Sequence, residues 1–448
     1  MSTGLSIKAM IWSYTVLAVG LFVYLYVPLL ASNQFLDATS VWSLVSESPL
    51  PLKREEGSNP DNRQIVAIVT GSTNGIGREL AAQLYSLGLT VVVASRNGQK
   101  CDNVIQEIKS EYSQSKGALE AGIIDTGDLN SVSAFAHKFI SSHSKLHFLV
   151  LNAGIHYAST EIGGKLAMDP SVQAISPQGF DLAFATNYLG HFLLAKMLQP
   201  LLESSGPGTR LINVASSYHM QSDGTTLLAT SDKDKDKDKD KDKDKDKDKD
   251  KDKWPLAARS DIPSSAHRHD SYSNNKLAQV LHAKEIQRRL DAVTRTRTGT
   301  RTGTRTGTGT GSGTPAGLLA LSFCPGWVDT GIIPNNVGGN ALRKLAFNPK
   351  AATIGLIGGL FSQRLSGGEF ISIFKNVITT QSWAKEFFKT VTRWGIRGPM
   401  THMLAAVILF TQGASYGFTV APTSPEAEDE RLARELYDWS DRVVTPFI

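Results

Sequence analysis

The sequence predicts a doubly wound α/β fold, a parallel β-sheet buried between two layers of helices. Three observations carry this. From Arg63 onward, short continuous apolar runs alternate with longer amphipathic segments, the pattern of strands covered on both faces. The first run, Ile65 to Val69, leads straight into a glycine-rich turn, Thr70-Gly71-Ser72-Thr73-Asn74-Gly75-Ile76-Gly77. Polar motifs then follow at the carboxyl ends of successive runs, where such a sheet gathers its ligands.

Strands are predicted at 65–70, 89–95, 119–125, 147–152, 209–216 and 318–324, and helices near 76–87, 98–113, 129–142, 178–203 and 271–290. In the glycine turn, Gly71, Gly75 and Gly77 remove the Cβ barrier. Backbone can then approach a pyrophosphate at the N-terminus of the first helix. The second strand ends in Ala94-Ser95-Arg96-Asn97. This end meets an adenosine ribose, and an acidic residue here would accept from a free 2′-hydroxyl. Arg96, with Arg78 after the turn and no carboxylate at the strand end, suits a 2′-phosphate instead, so NADP is favoured over NAD. Asp125 closes the third strand, placed to contact adenine, and Asn152-Ala153-Gly154 closes the fourth. The fifth, Arg210 to Ala215, ends in Ser216-Ser217. A hydroxyl there can donate to a carbonyl and stabilise a developing oxyanion. Tyr272 and Lys276 lie four apart on one helix face. A cation one turn away favours phenolate and lowers a phenol pKa that otherwise stands near ~10. The last strand ends at Cys324, followed by Pro325-Gly326.

Composition sets bounds. The chain has 448 residues and a net charge of +5. Residues 232–253 are strict Asp-Lys alternation and contribute no net charge. Arg295, Arg297, Arg301 and Arg305 lie in a Thr/Arg/Gly repeat at 294–314, leaving about +1 elsewhere. No folded basic patch is implied, and nucleic acid is rejected as a partner. Both repeats are expected to be disordered, within insertions 222–262 and 294–314. Lengthening a loop about fourfold costs only ~1 kcal/mol, so neither need harm the fold. With only Cys101 and Cys324, no disulfide framework is expected, and no Asn heads a glycosylation sequon. The cysteine count fits a reducing compartment, and the missing sequons lean against a lumenal domain. No metal-ligand set is predicted.

Ala9 to Ala31 is apolar and uncharged. About 20 such residues span a bilayer core as a helix. A cleaved signal peptide and a surface-lying helix are the alternatives. Lys8, with no further Lys or Arg until Lys53, would orient a single span with the domain in the lumen. The cysteine and sequon observations favour the cytosol, and a bent one-leaflet anchor removes the conflict. The organisation read is an anchor at 1–31, a linker at 32–62 and one domain at 63–448. That domain includes a lid region at 331–412 with apolar runs at 351–357 and 403–410. Those runs read as core helices or as a greasy substrate mouth on the bilayer. His219 and His282 are expected to be structural.

Taken together, these motifs resemble the short-chain dehydrogenase/reductase family, a Rossmann fold, and within it the retinol-dehydrogenase-like branch with fungal membrane-associated members. The spacing Gly71-x-x-x-Gly75-x-Gly77, then Asn152-Ala153-Gly154, Asn187-Tyr188-Leu189-Gly190, Tyr272-x-x-x-Lys276 and Pro325-Gly326-Trp327-Val328-Asp329-Thr330 carry the likeness. The resemblance implies a catalytic tetrad of Asn187, Ser217, Tyr272 and Lys276, with the Asn187 side chain holding a relay water. It implies a cofactor site of Gly71, Ser72, Thr73, Asn74, Gly75, Ile76, Gly77, Arg78, Ser95, Arg96, Asp125, Asn152, Ala153, Gly154, Tyr272, Lys276, Pro325, Gly326, Val328 and Thr330. The expected activity is NADP-dependent interconversion of an alcohol and a carbonyl on a lipophilic substrate such as a retinoid, sterol, or long-chain aldehyde or ketone. The setting would be lipid metabolism at the endoplasmic reticulum or a lipid droplet, with the domain facing the cytosol. A homodimer is compatible with this. The competing reading is a catalytically silent nucleotide-binding scaffold at a membrane. Two departures from the family stand out: 54 residues separate Ser217 from Tyr272, and 331–412 matches poorly.

Overall fold

The computed structural model describes Val45, Ser46, Ser48 and Leu50, then residues 65–157, 159–162, 165–166, 172, 174–224, 227, 265–298, 317–326, 328–331, 346, 348–374 and 416–448. The first half runs β1 (Val66–Thr70), α1 (Gly75–Ser86), β2 (Thr90–Ser95), α2 (Gly98–Glu111), β3 (Ala118–Ile123), α3 (Leu129–Ser142) and β4 (Phe148–Leu151). A small hairpin follows, β5 (Glu161–Ile162) and β6 (Lys165–Leu166). A short helical turn Leu182–Phe184 passes through a π-helical turn, Ala185–Leu189, into α4 (Gly190–Ser204). Then come β7 (Arg210–Val214), a 3-10 turn Ser217–Gln221, α5 (Ser265–Thr298), β8 (Leu319–Cys324), α6 (Pro349–Phe361), β9 (Phe370–Phe374), β10 (Tyr416–Ala421) and α7 (Glu430–Val444).

The main sheet has eight strands in the order β10-β9-β8-β7-β4-β1-β2-β3. The chain moves outward from β1 to β3 and returns to β4 on the other side, so the order reverses between β1 and β4. Doubly wound sheets bind their ligands at the carboxyl ends beside such a reversal. The inner strands β2, β1, β4, β7 and β8 are buried on both faces because alternate side chains serve different cores, whereas the edge strand β3 exposes one side. Val66 and Ile68 of β1 join α3, α4, α5 and α7 in one cluster, while Ala67 and Val69 join α1, α2 and α6 in the other.

The prediction of an all-parallel sheet needs one correction: β10 pairs antiparallel to β9. Neither β9 nor β10 was expected. β9 falls inside the lid region, where it adds a parallel strand beside β8. The apolar run at 351–357 is a core helix, α6, in which residues 352–361 are all buried, as a helix apolar on every side must be. The run at 403–410 lies outside the described residues. The helix expected at 178–203 starts at Leu182 and contains the π turn. The one expected at 271–290 extends over Ser265–Thr298, so 294–298 belong to the helix rather than to a disordered repeat. In the expected linker, Val45 and Leu50 are buried in the same cluster as α1 and α6. Among the described residues no helix is long and apolar enough to cross a membrane; residues 1–31 lie outside them.

Candidate active site

The glycine turn closes over the carboxyl end of β1 with Gly71 at φ 67° and Gly75 at φ 55°, conformations that glycine adopts without a Cβ penalty. Backbones pack tightly here. A Cβ on Gly71 would stand 2.8 Å from the Ala153 Cα, and one on Gly77 would stand 2.5 Å from Asn152 Nδ2 and from the Gly71 carbonyl oxygen. Thr70 ties β1 to β4: its hydroxyl oxygen accepts from the backbone N–H of Asn152 at 2.9 Å and of Ala153 at 3.0 Å. Asn152 Nδ2 donates to the Thr70 carbonyl at 2.8 Å. Ser72 is fully buried, donating to the Val69 carbonyl and accepting from Ala94 N–H. The side chains of Ser72 and Asn152, both expected to meet a cofactor, therefore brace the turn from inside. Ile76 is buried in the core beneath it.

Asn74 caps α1, its side-chain oxygen accepting from Gly75 N–H at 2.7 Å. The remaining N–H groups of the first turn are left for an anion. Thr73, Asn74, Gly75, Arg78 and Asp329 line a cavity of about 290 Å³ at this helix end. Thr330 lies against it, its Cγ2 3.0 Å from where a Gly75 Cβ would sit. The segment after β8, with Gly326 at φ 76° and Val328 buried, thus faces the glycine turn across the reversal point.

The two arginines differ. Arg78 is held by carboxylates, at 2.8 Å from Glu79 and 2.9 Å from Glu111. Arg96 is exposed at the tip of β2. Ser95 accepts from Asn97 N–H at 3.3 Å. Asp125 turns its carboxylate onto Gly127 N–H at 2.9 Å, so one of its oxygens is committed to its own loop.

On the other side of the reversal, Ser216 and Ser217 separate in role. Ser216 caps the 3-10 turn, its Oγ accepting from Tyr218 N–H at 3.2 Å. Ser217 opens that turn at the end of β7, its N–H donating to Cys324 Sγ at 3.2 Å. Packing of α5 against β7 and this turn brings the next two residues in. Lys276 Nζ lies 5.4 Å from the centre of the Tyr272 ring and donates to the Val214 carbonyl at 2.8 Å and to Gln279 Oε1 at 2.9 Å. His156 and Tyr218 meet the Tyr272 ring edge-on at 4.8 and 5.6 Å between centres.

The electrostatics differ from the sequence expectation. Burial, with Cys324 nearby, pushes the Tyr272 phenol above its ordinary value. Burial also lowers the Lys276 ammonium to about 8. Loss of hydration around both groups outweighs the pairing that four-residue spacing suggested. Asn187, in the π turn, also differs. Its side chain bonds reciprocally to the Ile155 backbone, accepting from N–H at 2.8 Å and donating to the carbonyl at 3.0 Å. The amide expected to hold a water is engaged with protein instead.

Other residues entered the site without being expected. His191 lies between the Thr70 hydroxyl at 2.9 Å and the Asn187 carbonyl at 3.1 Å. Gln279 connects Lys276 with the Asn187 carbonyl. Its position seven after Tyr272 and three after Lys276, on the same helix face, was the available signal. His219 and His282 are buried within the fold, bonded to Ser216 and Asn213.

A family model described as short chain dehydrogenase matches residues 65–228, the stretch that holds the glycine turn, Asn152-Ala153-Gly154, Asn187 and Ser217. Over that stretch the chain resembles the short-chain dehydrogenase/reductase family. Its relatives include retinol dehydrogenases. The chain is 32% identical over 238 residues to the polyprenol dehydrogenase of Homo sapiens, covering 52% of this chain and 58% of that protein. It is 33% identical over 155 residues to retinol dehydrogenase 12 of Mus musculus, covering 35% and 44%. The chain spans about half the length of the curated relatives it matches. Among solved structures, the Pseudomonas aeruginosa RhlG/NADP active-site complex aligns with a TM-score of 0.44 at 17% identity, covering 70% of this chain and 98% of that one.

Proposed function

We propose that this chain is an NADP-dependent oxidoreductase that interconverts an alcohol and a carbonyl on a lipophilic substrate. The observation that carries the reading is the convergence of Tyr272, Lys276 and Ser217 at the carboxyl end of β7, across the reversal point from the glycine turn. A dinucleotide fits what faces it. The positive φ of Gly71 and Gly75 leaves α1 open at its N-terminus, and Thr330 stands beside Gly75. Gly71, Gly75 and Gly77, with Thr73 and Asn74, would hold the pyrophosphate, Arg96 and Arg78 the 2′-phosphate, and Val328 and Thr330 the nicotinamide. Lys276 uses two of its three donors on Val214 and Gln279, which leaves the third for a ribose hydroxyl.

When bound, the nicotinamide supplies or takes up the hydride. Tyr272 exchanges the proton with the substrate oxygen, donating it in reduction and accepting it as phenolate in oxidation. The Lys276 charge favours the phenolate, while burial opposes it. Ser217 donates a hydrogen bond to the same oxygen, where charge develops. Asn187 holds the loop at Ile155, whose next residue, His156, meets the Tyr272 ring.

The names of the relatives support a long isoprenoid alcohol or retinoid as substrate class. The uncharged stretch Ala9 to Ala31 supports a membrane anchor, with the domain on the cytosolic side of the endoplasmic reticulum or a lipid droplet. The test is a screen of lipid aldehydes and ketones with NADPH and NADH, using wild type and Tyr272→Phe. Turnover with NADPH that the substitution abolishes is expected. Turnover unchanged by Tyr272→Phe rejects the mechanism, and nucleotide binding without turnover of any carbonyl favours the silent scaffold.

A further inference from the structure

Lys276 and the Asn187 carbonyl are joined by protein. Gln279 is fully buried, and its Oε1 accepts from Lys276 Nζ at 2.9 Å while its Nε2 donates to the Asn187 carbonyl at 2.7 Å. The partners dictate this amide orientation. The reverse would set an NH₂ against an ammonium and an oxygen against a carbonyl. The carbonyl belongs to the π turn Ala185–Leu189, and such turns redirect backbone groups at functional sites. His191 Nδ1 also faces the carbonyl, at 3.1 Å.

We infer that Gln279 is a positioning residue for the reaction proposed above: its amide, in place of a water molecule, links the Lys276 ammonium to the Asn187 carbonyl. The inference rests on the assignment of Tyr272 and Lys276 as the proton-handling pair. It has a chemical consequence. A water passes a proton on by exchanging one bond for another, whereas an amide does so only through its unfavourable imidic tautomer. Gln279 therefore holds the ammonium charge near Tyr272 without providing an outlet for its proton on the Asn187 side. Proton exchange with solvent then takes place from the substrate side of Tyr272. Burial already lowers the Lys276 ammonium, and loss of the Gln279 acceptor acts on it in the same direction. The neighbours that bear on its charge are Tyr272, Cys324 and His191.

The test compares Gln279→Leu, Gln279→Asn and Gln279→Glu in the full-length chain. The first readout needs no turnover: ¹³Cε-lysine NMR over a pH series, with the Lys276 signal assigned by its loss in Lys276→Arg. Removing the acceptor in Gln279→Leu should lower the Lys276 midpoint by about one pH unit, and the carboxylate of Gln279→Glu should raise it by at least as much. Gln279→Asn, one methylene shorter, makes room for a water and should stay close to wild type. The second readout is kcat for alcohol oxidation against pH. In Gln279→Leu its rising limb should move to higher pH by about the same amount, with KM changed less than about threefold. The wild-type solvent isotope effect should be retained in Gln279→Leu, because the route it removes carries no proton. A Lys276 midpoint identical in all three folded variants overturns the inference, as does a loss of stability with no shift of either midpoint. If wild type turns over no substrate, the functional reading fails while the NMR midpoints still decide the role of Gln279. Where Gln279→Leu does not fold, a Lys276 midpoint near wild type in Gln279→Asn and a raised one in Gln279→Glu support the inference, and an unshifted midpoint in Gln279→Glu overturns it.

Discussion

Asn187 and Ile155 are joined by two reciprocal hydrogen bonds, 2.8 Å into the Asn187 amide oxygen and 3.0 Å out of its NH₂ group. The amide thereby completes the backbone of the loop after β4 as a neighbouring strand would. It sets Gly154 close by, with the Asn187 Oδ1 at 3.3 Å from where a Gly154 Cβ would sit. An Asp at this position keeps the acceptor and loses the donor, placing a second oxygen against the Ile155 carbonyl. Asn187→Asp is expected to cost about 1–3 kcal/mol in urea-induced unfolding. Turnover should fall further than stability requires, measured where the protein is fully folded. An Asp variant as stable and active as wild type would show that this bridge has no role.

The glycine turn has no room for a side chain at Gly77. A methyl group there meets Asn152 Nδ2 and the Gly71 carbonyl at once, and Asn152 is itself bonded to Thr70. Gly77→Ala is expected to destabilise by about 1–3 kcal/mol through overpacking. Because the strain falls on the turn, nucleotide affinity should drop by at least about tenfold. Thermal unfolding and calorimetric titration measure the two effects separately.

Cofactor preference should depend more on Arg96 than on Arg78. Arg78 already pairs with Glu79 and Glu111, and a guanidinium so engaged must give up carboxylates to gain a phosphate. Arg96 is exposed. Arg96→Ala is expected to raise KM for NADPH about tenfold or more, the worth of one charged hydrogen bond, while KM for NADH stays within about twofold. Arg78→Ala should have the smaller effect on that ratio. Equal loss with both cofactors in Arg96→Ala would remove the 2′-phosphate assignment.

Stability should fall steeply on the acid side. Burial lowers His147, His191 and His219 to about 4 and His282 to about 3. His147 Nδ1 accepts from Val66 N–H at 3.0 Å, so its neutral form is built into β1. With folded values below the ordinary histidine value near ~6.5, the unfolded chain binds protons first as pH drops. Unfolding free energy thus rises with pH between about 4 and 6.5, each histidine contributing up to ~1.4 kcal/mol per pH unit. Urea unfolding at pH 5 and 7 should show the loss. Replacing His282 with Gln should flatten the dependence by one proton, and a flat profile in wild type would contradict the buried neutral assignment.

Much of the fold was legible because strand, turn and helix are local. Six predicted strands appear in their predicted order, and Ser216 caps the turn that Ser217 opens. β9 and β10 were not legible. Phe370–Phe374 is short and sits in an apolar region whose period suits more than one element, and its strand state comes from pairing with β8 and β10. The pair proposed for acid–base chemistry was legible as spacing but not as electrostatics. Four-residue spacing places Lys276 near Tyr272, while only the surrounding packing reveals that both lose their water.

By itself, the chain's sequence determined the doubly wound sheet, the glycine turn that opens it and the residues that gather at its carboxyl ends. Each of these is written in contiguous residues and follows from backbone freedom and side-chain period. The tertiary structure alone decided what those residues touch. Lys276 finds Val214 across 62 positions and Gln279 finds Asn187 across 92, while Ser72 and Asn152 turn inward to brace the strands. Hydrogen bonds between distant positions depend on how sheet and helices stack, and no local pattern encodes that distance.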